Sequence, residues 1–295
     1  MAAAFPLPSN LVASVTRDRT PHRAEWFSQL PGIVRELAER WSLRLGEPYQ
    51  PGGDTAWVAP VRDALGRDLV LKVGWRHYEA DHEAAGLAVW SGHGTVLLYD
   101  NEVFDSTSAL LIERCVPGTT LGELLPEPEQ DVVIAGLLRR LWTVPPDDHP
   151  FRPLEQMCAA WADAFEERYD ETVLDPGVAR AGMELFRGLP ATTGRRVLLC
   201  TDLHAGNVLA AGREPWLVVD PKPYVGDPAY DVLQHFLNCT ERLTADPVAL
   251  VKRMAGLLDL DPERVRQWAF ARCVQESIDE PALREVATRL AHAGA

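Results

Sequence analysis

Between residues 25 and 41 the apolar positions fall at helical spacing: Trp26, Leu30, Ile33, Val34, Leu37 and Trp41 share one face. The texture then changes. Residues 43–49, 55–62 and 68–73 are short runs of strand-favouring residues, and Asp63-Ala-Leu-Gly66 between the last two predicts a hairpin turn. Residues 78–90 are Ala-rich, place Leu87 and Trp90 three apart and stop before Gly92, which predicts a helix. Two more apolar runs, 96–99 and 109–114, predict strands. From Leu121 onward the period is helical, over 131–142, 154–172, 178–189, 230–238, 248–258, 262–277 and 282–292, with one β-like interruption at 197–220. The pattern predicts an α+β chain in two parts. Residues 1–115 hold a small sheet with one inserted helix and the N-terminal helix about 25–41, and residues 116–295 are mainly helical, with Pro117-Gly118 near the join.

Length and composition narrow the class. At 295 residues, 46% apolar and 24% charged, the chain has the make-up of a globular protein near the size at which one core divides into two. No run approaches the roughly 20 apolar residues that span a bilayer, and Met1 to Asn10 lacks the basic-then-apolar order of a secretory signal. A cytoplasmic location without a membrane role is therefore expected. Five scattered cysteines without a CxxC pair point to buried thiols rather than disulfides or a zinc site. A net charge of −14 argues against a nucleic-acid partner, since phosphate backbones are held by surplus Lys and Arg. It favours cations in general and selects none.

The informative stretch is Leu198-Leu-Cys-Thr-Asp-Leu-His-Ala-Gly-Asn207, followed by Trp216-Leu-Val-Val-Asp220-Pro-Lys222. Three polar residues, Asp202, Asn207 and Asp220, stand between apolar strand-like runs that would fix their backbone. Phosphoryl transfer needs such a set: a carboxylate to take the proton of an attacking hydroxyl, and hard oxygen ligands for Mg²⁺ on the phosphates. Protein kinases space the base Asp and the metal-binding Asn five apart, as Asp202 and Asn207 are. Asp220, after an apolar strand, suits a second metal ligand. Upstream, Lys72 in Leu69-Val-Leu-Lys-Val73 matches the strand lysine that binds ATP phosphates. Glu83 on the following helix could ion-pair with it, and Glu79, one turn earlier, is a rival. The turn containing Gly52, Gly53, Asp54 and Thr55 could cap the phosphates with backbone N–H groups.

These residues resemble the aminoglycoside phosphotransferase family, whose fold is a smaller relative of the protein kinases, and within it the streptomycin and hydroxyurea phosphotransferases. The strings that carry the resemblance are Leu69-Val-Leu-Lys-Val-Gly-Trp75, Ala84-Ala-Gly-Leu-Ala-Val-Trp90, Leu110-Leu-Ile-Glu-Arg-Cys-Val-Pro-Gly118, Thr201-Asp-Leu-His-Ala-Gly-Asn207, Val219-Asp-Pro-Lys222 and Gly226-Asp-Pro-Ala-Tyr-Asp231. Together they run from about residue 50 to 240 in the family's order. The resemblance implies a two-lobed protein-kinase-like fold with ATP and Mg²⁺ as cofactors. It makes Asp202 the catalytic base, Asn207 and Asp220 the metal ligands, and Lys72, backed by Glu83, the phosphate contact. It also implies a hinge at residues 111–115, where the Glu113 carbonyl and the Cys115 N–H would read the adenine edge. Asp227 and Asp231 would shape the loop and helix after the metal ligand. The chain departs from the family in one place. Many relatives have His-Gly before the base, where this chain has Cys200-Thr201, and a thiol is a weaker hydrogen-bond donor than imidazole.

Other residues have plainer readings. His204 reads as support for the turn, whereas Lys222 could meet phosphate, meet Asp202 or be solvated. The run Asp163, Glu166, Glu167, Asp170 and Glu171 reads as the wet face of a helix, although one of these acids, or Glu276, Asp279 or Glu280, could bind a cationic acceptor. Trp142, Trp161, Trp216 and Trp268 read as core. The expected acceptor is a small molecule, such as a cationic aminoglycoside of the streptomycin kind, or hydroxyurea, with antibiotic resistance as the outcome. The alternatives are a kinase of a metabolite alcohol and a catalytically silent nucleotide-binding protein. Asp220-Pro-Lys in place of Asp-Phe-Gly disfavours a protein kinase.

Overall fold

A computed structural model describes residues 5–18, 20–78 and 81–293. They divide into two compact units, residues 1–118 and 119–295. In the first, helices α1 (Ser9–Arg17), α2 (Pro21–Arg40) and α3 (Glu83–Trp90) accompany strands β1 (Arg44–Leu45), β2 (Ala56–Arg62), β3 (Asp68–Trp75), β4 (Leu98–Phe104) and β5 (Thr107–Glu113). The strands form one antiparallel sheet in the order β1-β2-β3-β5-β4. The β2–β3 hairpin turns where its sequence predicts. Asp63 accepts the N–H groups of Leu65 and Arg67 at 3.0 and 2.8 Å, and Gly66 takes the positive φ of +81° that the turn requires.

Strand alternation sorts this sheet into two chemistries. Trp57, Ala59, Val61, Leu69, Leu71, Val73, Ala109 and Leu111 point to one face and pack with Leu11 of α1 and Trp26, Leu30, Val34 and Leu37 of α2. The intervening residues point the other way, and Lys72, paired with Val58 and Leu110, is one of them. A lysine therefore stands in mid-strand without entering the hydrophobic core.

The second unit is built on helices α4 (Leu121–Leu124), α5 (Glu127–Leu141), α6 (Leu154–Arg168), α7 (Pro176–Gly188), α8 (Leu233–Asn238), α9 (Thr240–Ala245), α10 (Pro247–Leu258), α11 (Pro262–Glu276) and α12 (Leu283–His292). Five short strands lie among them: β6 (Arg152–Pro153), β7 (Val197–Leu199), β8 (Val208–Ala210), β9 (Trp216–Val218) and β10 (Tyr224–Gly226). They form a β6-β10-β7 sheet and a β8–β9 hairpin. Trp268 of α11 is the hub. The rings of Phe186 and Tyr230 meet it edge-on, and its indole N–H donates to Asp227 at 2.7 Å. Helices α7 and α11 approach so closely that a Cβ on Gly182 would lie 2.6 Å from Val274.

The structure departs from the apolar pattern in identifiable places. Helix α1 forms from a leader whose prolines hide its period, and α3 begins at Glu83 rather than at 78. Strand β4 runs over the polar Leu98–Phe104 instead of 96–99, because an edge strand exposed to water needs few apolar residues. Of the strand-favouring run 43–49 only Arg44–Leu45 pairs as β1, and the two-residue β6 is too short for any periodicity to register. No helix among the described residues is long and apolar enough to cross a membrane.

Candidate active site

Strand β7 is fully buried and delivers Cys200, itself buried, to a sharp turn. Thr201 has a φ of +51°, and the N–H of Asp202 donates back to the Cys200 carbonyl at 2.8 Å. A β-branched residue resists this left-handed backbone, so the turn must be held by its surroundings. Asp231 supplies most of the hold. Its wholly buried carboxylate accepts the N–H of Cys200 at 3.0 Å, the N–H of Thr201 at 2.6 Å and the indole N–H of Trp142 at 2.9 Å. Burial pushes this carboxyl up to about 6, against the pull of its three donors. A second clamp comes from Lys222, whose N–H donates to the Cys200 carbonyl at 2.9 Å and whose carbonyl accepts the Thr201 hydroxyl at 2.5 Å. The turn at Cys200-Thr201 is thus held by Asp231 and by the Thr201 hydroxyl. The Cys200 thiol is pushed well above its ordinary range by burial and stays neutral.

Beyond this turn the polar residues converge. The ammonium of Lys222 forms a close ion pair with Asp202 Oδ2. Asn207 Nδ2 donates to the Asp202 carbonyl at 3.0 Å and reaches Asp202 Oδ2 at 3.4 Å. Asn207 ends the 3₁₀ turn Ala205–Asn207, capped by His204 Nδ1, which accepts the Gly206 N–H at 3.2 Å. That bond gives His204 the supporting role its position suggests. Burial lowers the imidazole pKa, opposed by the nearby carboxylates of Asp202 and Asp220. The β8–β9 hairpin pairs Val208 with Val218, and the Val219 N–H donates to the Asn207 carbonyl at 2.9 Å. This register brings Asp220, with φ +53°, alongside Asn207.

The donor set fits a hard divalent cation. With its Nδ2 engaged by Asp202, Asn207 presents its amide oxygen, and Asp220 offers a carboxylate, both oxygen ligands of the kind Mg²⁺ takes. Among the described residues no group of three or more His, Cys, Asp or Glu could hold a metal ion.

In the first unit, Lys72 Nζ contacts Glu83 at 2.8 and 2.6 Å, with side-chain exposures of 15% and 6%. Helix α3 therefore sits on the lysine face of the sheet. The rival Glu79 lies outside the described residues. Gly52, Gly53, Asp54 and Thr55 form the loop entering β2, with Gly52 at φ +75°. Glu113 ends β5; its N–H donates to the Leu97 carbonyl at 2.8 Å, and its Oε2 accepts the Leu97 N–H at 3.0 Å. Cys115 follows in the turn closed by Gly118, where a Cβ would lie 2.9 Å from the Cys115 carbonyl. The Lys72–Glu83 pair, the 52–55 loop and the 113–115 segment all belong to the first unit, and Asp202, Asn207 and Asp220 to the second.

Several of the acids that could meet a cation already have arginine partners. Asp163 and Glu166 hold Arg187, Asp279 holds Arg168, and Glu276 holds Arg272 at 2.5 Å. A cavity of about 270 Å³ in the second unit is lined by Gln234, Asn238, Arg272, Glu276 and Glu280. Trp142 and Trp268 are core, as expected, while Trp216 is only half-buried and so is Trp161, beneath the Arg272 guanidinium, 4.5 Å from its ring centre. One buried network gave no sequence signal. Asp131 of α5 binds His235 at 2.8 Å, Arg242 at 2.8 Å and Arg253 at 2.6 Å, partners more than a hundred residues away.

Comparison with known proteins completes the description. Residues 40–280 match the family model described as aminoglycoside/hydroxyurea antibiotic resistance kinase. Streptomycin 6-kinase of Streptomyces griseus is 34% identical over 92% of this chain and 90% of its own. Hydroxyurea phosphotransferase of Kitasatospora aureofaciens is 35% identical over 97% of this chain and 84% of its own. Among solved structures, choline kinase from Streptococcus pneumoniae superposes with a TM-score of 0.59, covering 90% of this chain and 98% of its own at 13% identity, a likeness of fold.

Proposed function

The chain belongs to the aminoglycoside/hydroxyurea antibiotic resistance kinase family and is a small-molecule kinase; from that premise we propose that it moves the γ-phosphoryl group of ATP to a hydroxyl of a streptomycin-like aminoglycoside or of hydroxyurea, with Asp202 as base. The observation that carries this reading is the convergence on Asp202. The carboxylate sits on a turn anchored by Asp231, is bonded by Asn207, and is paired with Lys222.

Each group has a role that follows from its contacts. Lys222 pairs with Asp202, and the Asp202 carboxylate would accept the proton of an acceptor hydroxyl as its oxygen attacks phosphorus. Asn207 fixes the Asp202 backbone, and its amide oxygen and the Asp220 carboxylate would be the ligands that hold Mg²⁺. When bound, the ion offsets charge on the transferring phosphoryl oxygens. Lys72, held by Glu83, would contact the phosphates, and the Gly52–Thr55 backbone would cap them. The Glu113 carbonyl and Cys115 N–H are the proposed adenine contacts. In the cavity of the second unit Glu276 is engaged by Arg272, so Glu280 is the lining carboxylate that would meet a cationic acceptor.

The test is ADP release with Mg²⁺·ATP against streptomycin, other aminoglycosides, hydroxyurea and common metabolite alcohols, with Asp202→Ala in parallel. Turnover of streptomycin or hydroxyurea is expected from the parent, and loss of transfer with retained ATP binding from the variant. Turnover confined to a metabolite alcohol would overturn the proposed acceptor. Transfer by Asp202→Ala at the parental rate would remove Asp202 from its role.

A further inference from the structure

Helix α1 begins without a side-chain cap, and Pro8 precedes it. Its first N–H groups are met instead by the loop that leads into β2. The Ser9 N–H donates to Gln50 Oε1 at 3.0 Å, and the Asn10 N–H to the Pro51 carbonyl at 3.0 Å. The ties continue along the loop. Asn10 Nδ2 donates to the Gly52 carbonyl at 2.9 Å, and Gln50 Nε2 to the Leu7 carbonyl at 3.2 Å. Arg23 of α2, its side chain only 6% exposed, donates from Nη2 to the Asp54 carbonyl at 2.7 Å and to Ser14 Oγ of α1 at 2.6 Å. Contact is close enough that a Cβ on Gly52 would stand 2.5 Å from Pro8 Cβ. Leu11 and Val15 fasten α1 itself into the core.

The direction of these bonds is what matters. A loop that holds phosphate must turn N–H groups toward it and keep its carbonyl oxygens away, because like partial charges repel. Here the carbonyls of Pro51, Gly52 and Asp54 are all taken by donors from α1 and α2. Among the described residues, no acceptor meets the N–H groups of Gly52, Gly53, Asp54 or Thr55. The segment that does this, residues 6–23, lies wholly before the residues that match the family model.

We propose that residues 6–18, together with Arg23 of α2, form a strap that sets the phosphate loop of this kinase, with Asn10 and Arg23 as positioning residues that act on ATP through the carbonyls of Gly52 and Asp54. The proposal rests on the reading of the 52–55 loop as the phosphate cap. Asn10 is exposed and at the start of a helix, so it can be changed without emptying the core. Losing one hydrogen bond to the loop is worth about a 3- to 10-fold change in affinity.

The experiment compares Asn10→Ala, Asn10→Asp and Asn10→Gln in the full chain, measuring the Kd for Mg²⁺·ATP, the KM for ATP, the KM for the acceptor, and Tm. The expected result is an ATP Kd and KM raised about 3- to 10-fold in the Ala and Asp variants, which lack the amide donor. The Gln variant, which keeps it, should stay within about twofold. Acceptor KM and Tm should be unchanged throughout. An ATP Kd unchanged in Asn10→Ala and Asn10→Asp, or an acceptor KM that rises in step, overturns the strap and leaves the kinase reading standing. A parent that binds no ATP overturns both.

Discussion

Asp231 offers the most demanding test of how the catalytic turn is held. Replacing it with Asn keeps the shape, removes the charge and exchanges one acceptor oxygen for an NH₂ group. Oδ2 accepts two of the three donors, so the amide oxygen can serve Cys200 and Trp142 while the NH₂ faces the Thr201 N–H, 2.6 Å away in the parent. One buried donor is then left without a partner, at a cost of about 1–3 kcal/mol. Against this stands the cost of the buried charge. A carboxyl moved from 3.8 to about 6 has its ionised form disfavoured in the native state by about 3 kcal/mol at neutral pH. The two effects are of similar size, so Asp231→Asn should leave stability at pH 7.5 nearly unchanged. With Asp202 as the proposed base, transfer would depend on where the turn holds it, and kcat should fall about 10- to 100-fold with little change in the KM for ATP.

The pH dependence separates these terms. The folded protein holds the Asp231 proton more tightly than the unfolded chain does. The stability this contributes is therefore complete below about pH 4 and is lost as the pH rises through about 6. Between pH 5 and pH 7.5 the parent should lose stability relative to Asp231→Asn, on the order of 1 kcal/mol, read from urea unfolding of both proteins at the two pH values. A stability difference that does not vary over this range would refute a titration near 6. An unimpaired kcat would refute the anchoring of the turn.

Two further substitutions probe other parts of the machinery. Glu83→Gln removes the charge of the Glu83 carboxylate beside the Lys72 ammonium, and a hydrogen bond to a charged group contributes about 1.5–3 kcal/mol, so kcat/KM for ATP should fall about 10- to 100-fold in steady-state assays with the acceptor KM unchanged. At Thr201, thermal or urea unfolding should rank Gly above Ala by about 1 kcal/mol. Both variants lose the hydroxyl bond to Lys222, and only Ala keeps a Cβ in the left-handed region, so Ala more stable than Gly would mean the turn is unstrained.

What the sequence made legible follows the range of the physics involved. Asp202 and Asn207 could be read because their partnership is local: five residues of tight turn suffice, and apolar strands on both sides announce where the turn must be. Lys72 and Glu83 were nearly as accessible, since a strand followed by a short helix returns the chain within eleven residues, and the pleat alone puts the lysine on the face away from the core. Distance in sequence hid the rest. Asp231 reaches back thirty residues to the turn it holds, and a carboxylate after an apolar helix start looks the same whether it anchors a loop or meets water. The acid run around residue 163 could suggest a cation site only because Arg187, its partner, lies in another helix. The strained φ at Thr201 was equally hidden. The backbone turns left-handed at Thr201, a conformation that favours glycine. A threonine can stand there because its hydroxyl, unlike a hydrogen atom, adds a bond to Lys222 that offsets the strain of its own Cβ. The departure from the family pattern is thus a change in how the turn is fastened, with the catalytic carboxylate left in place.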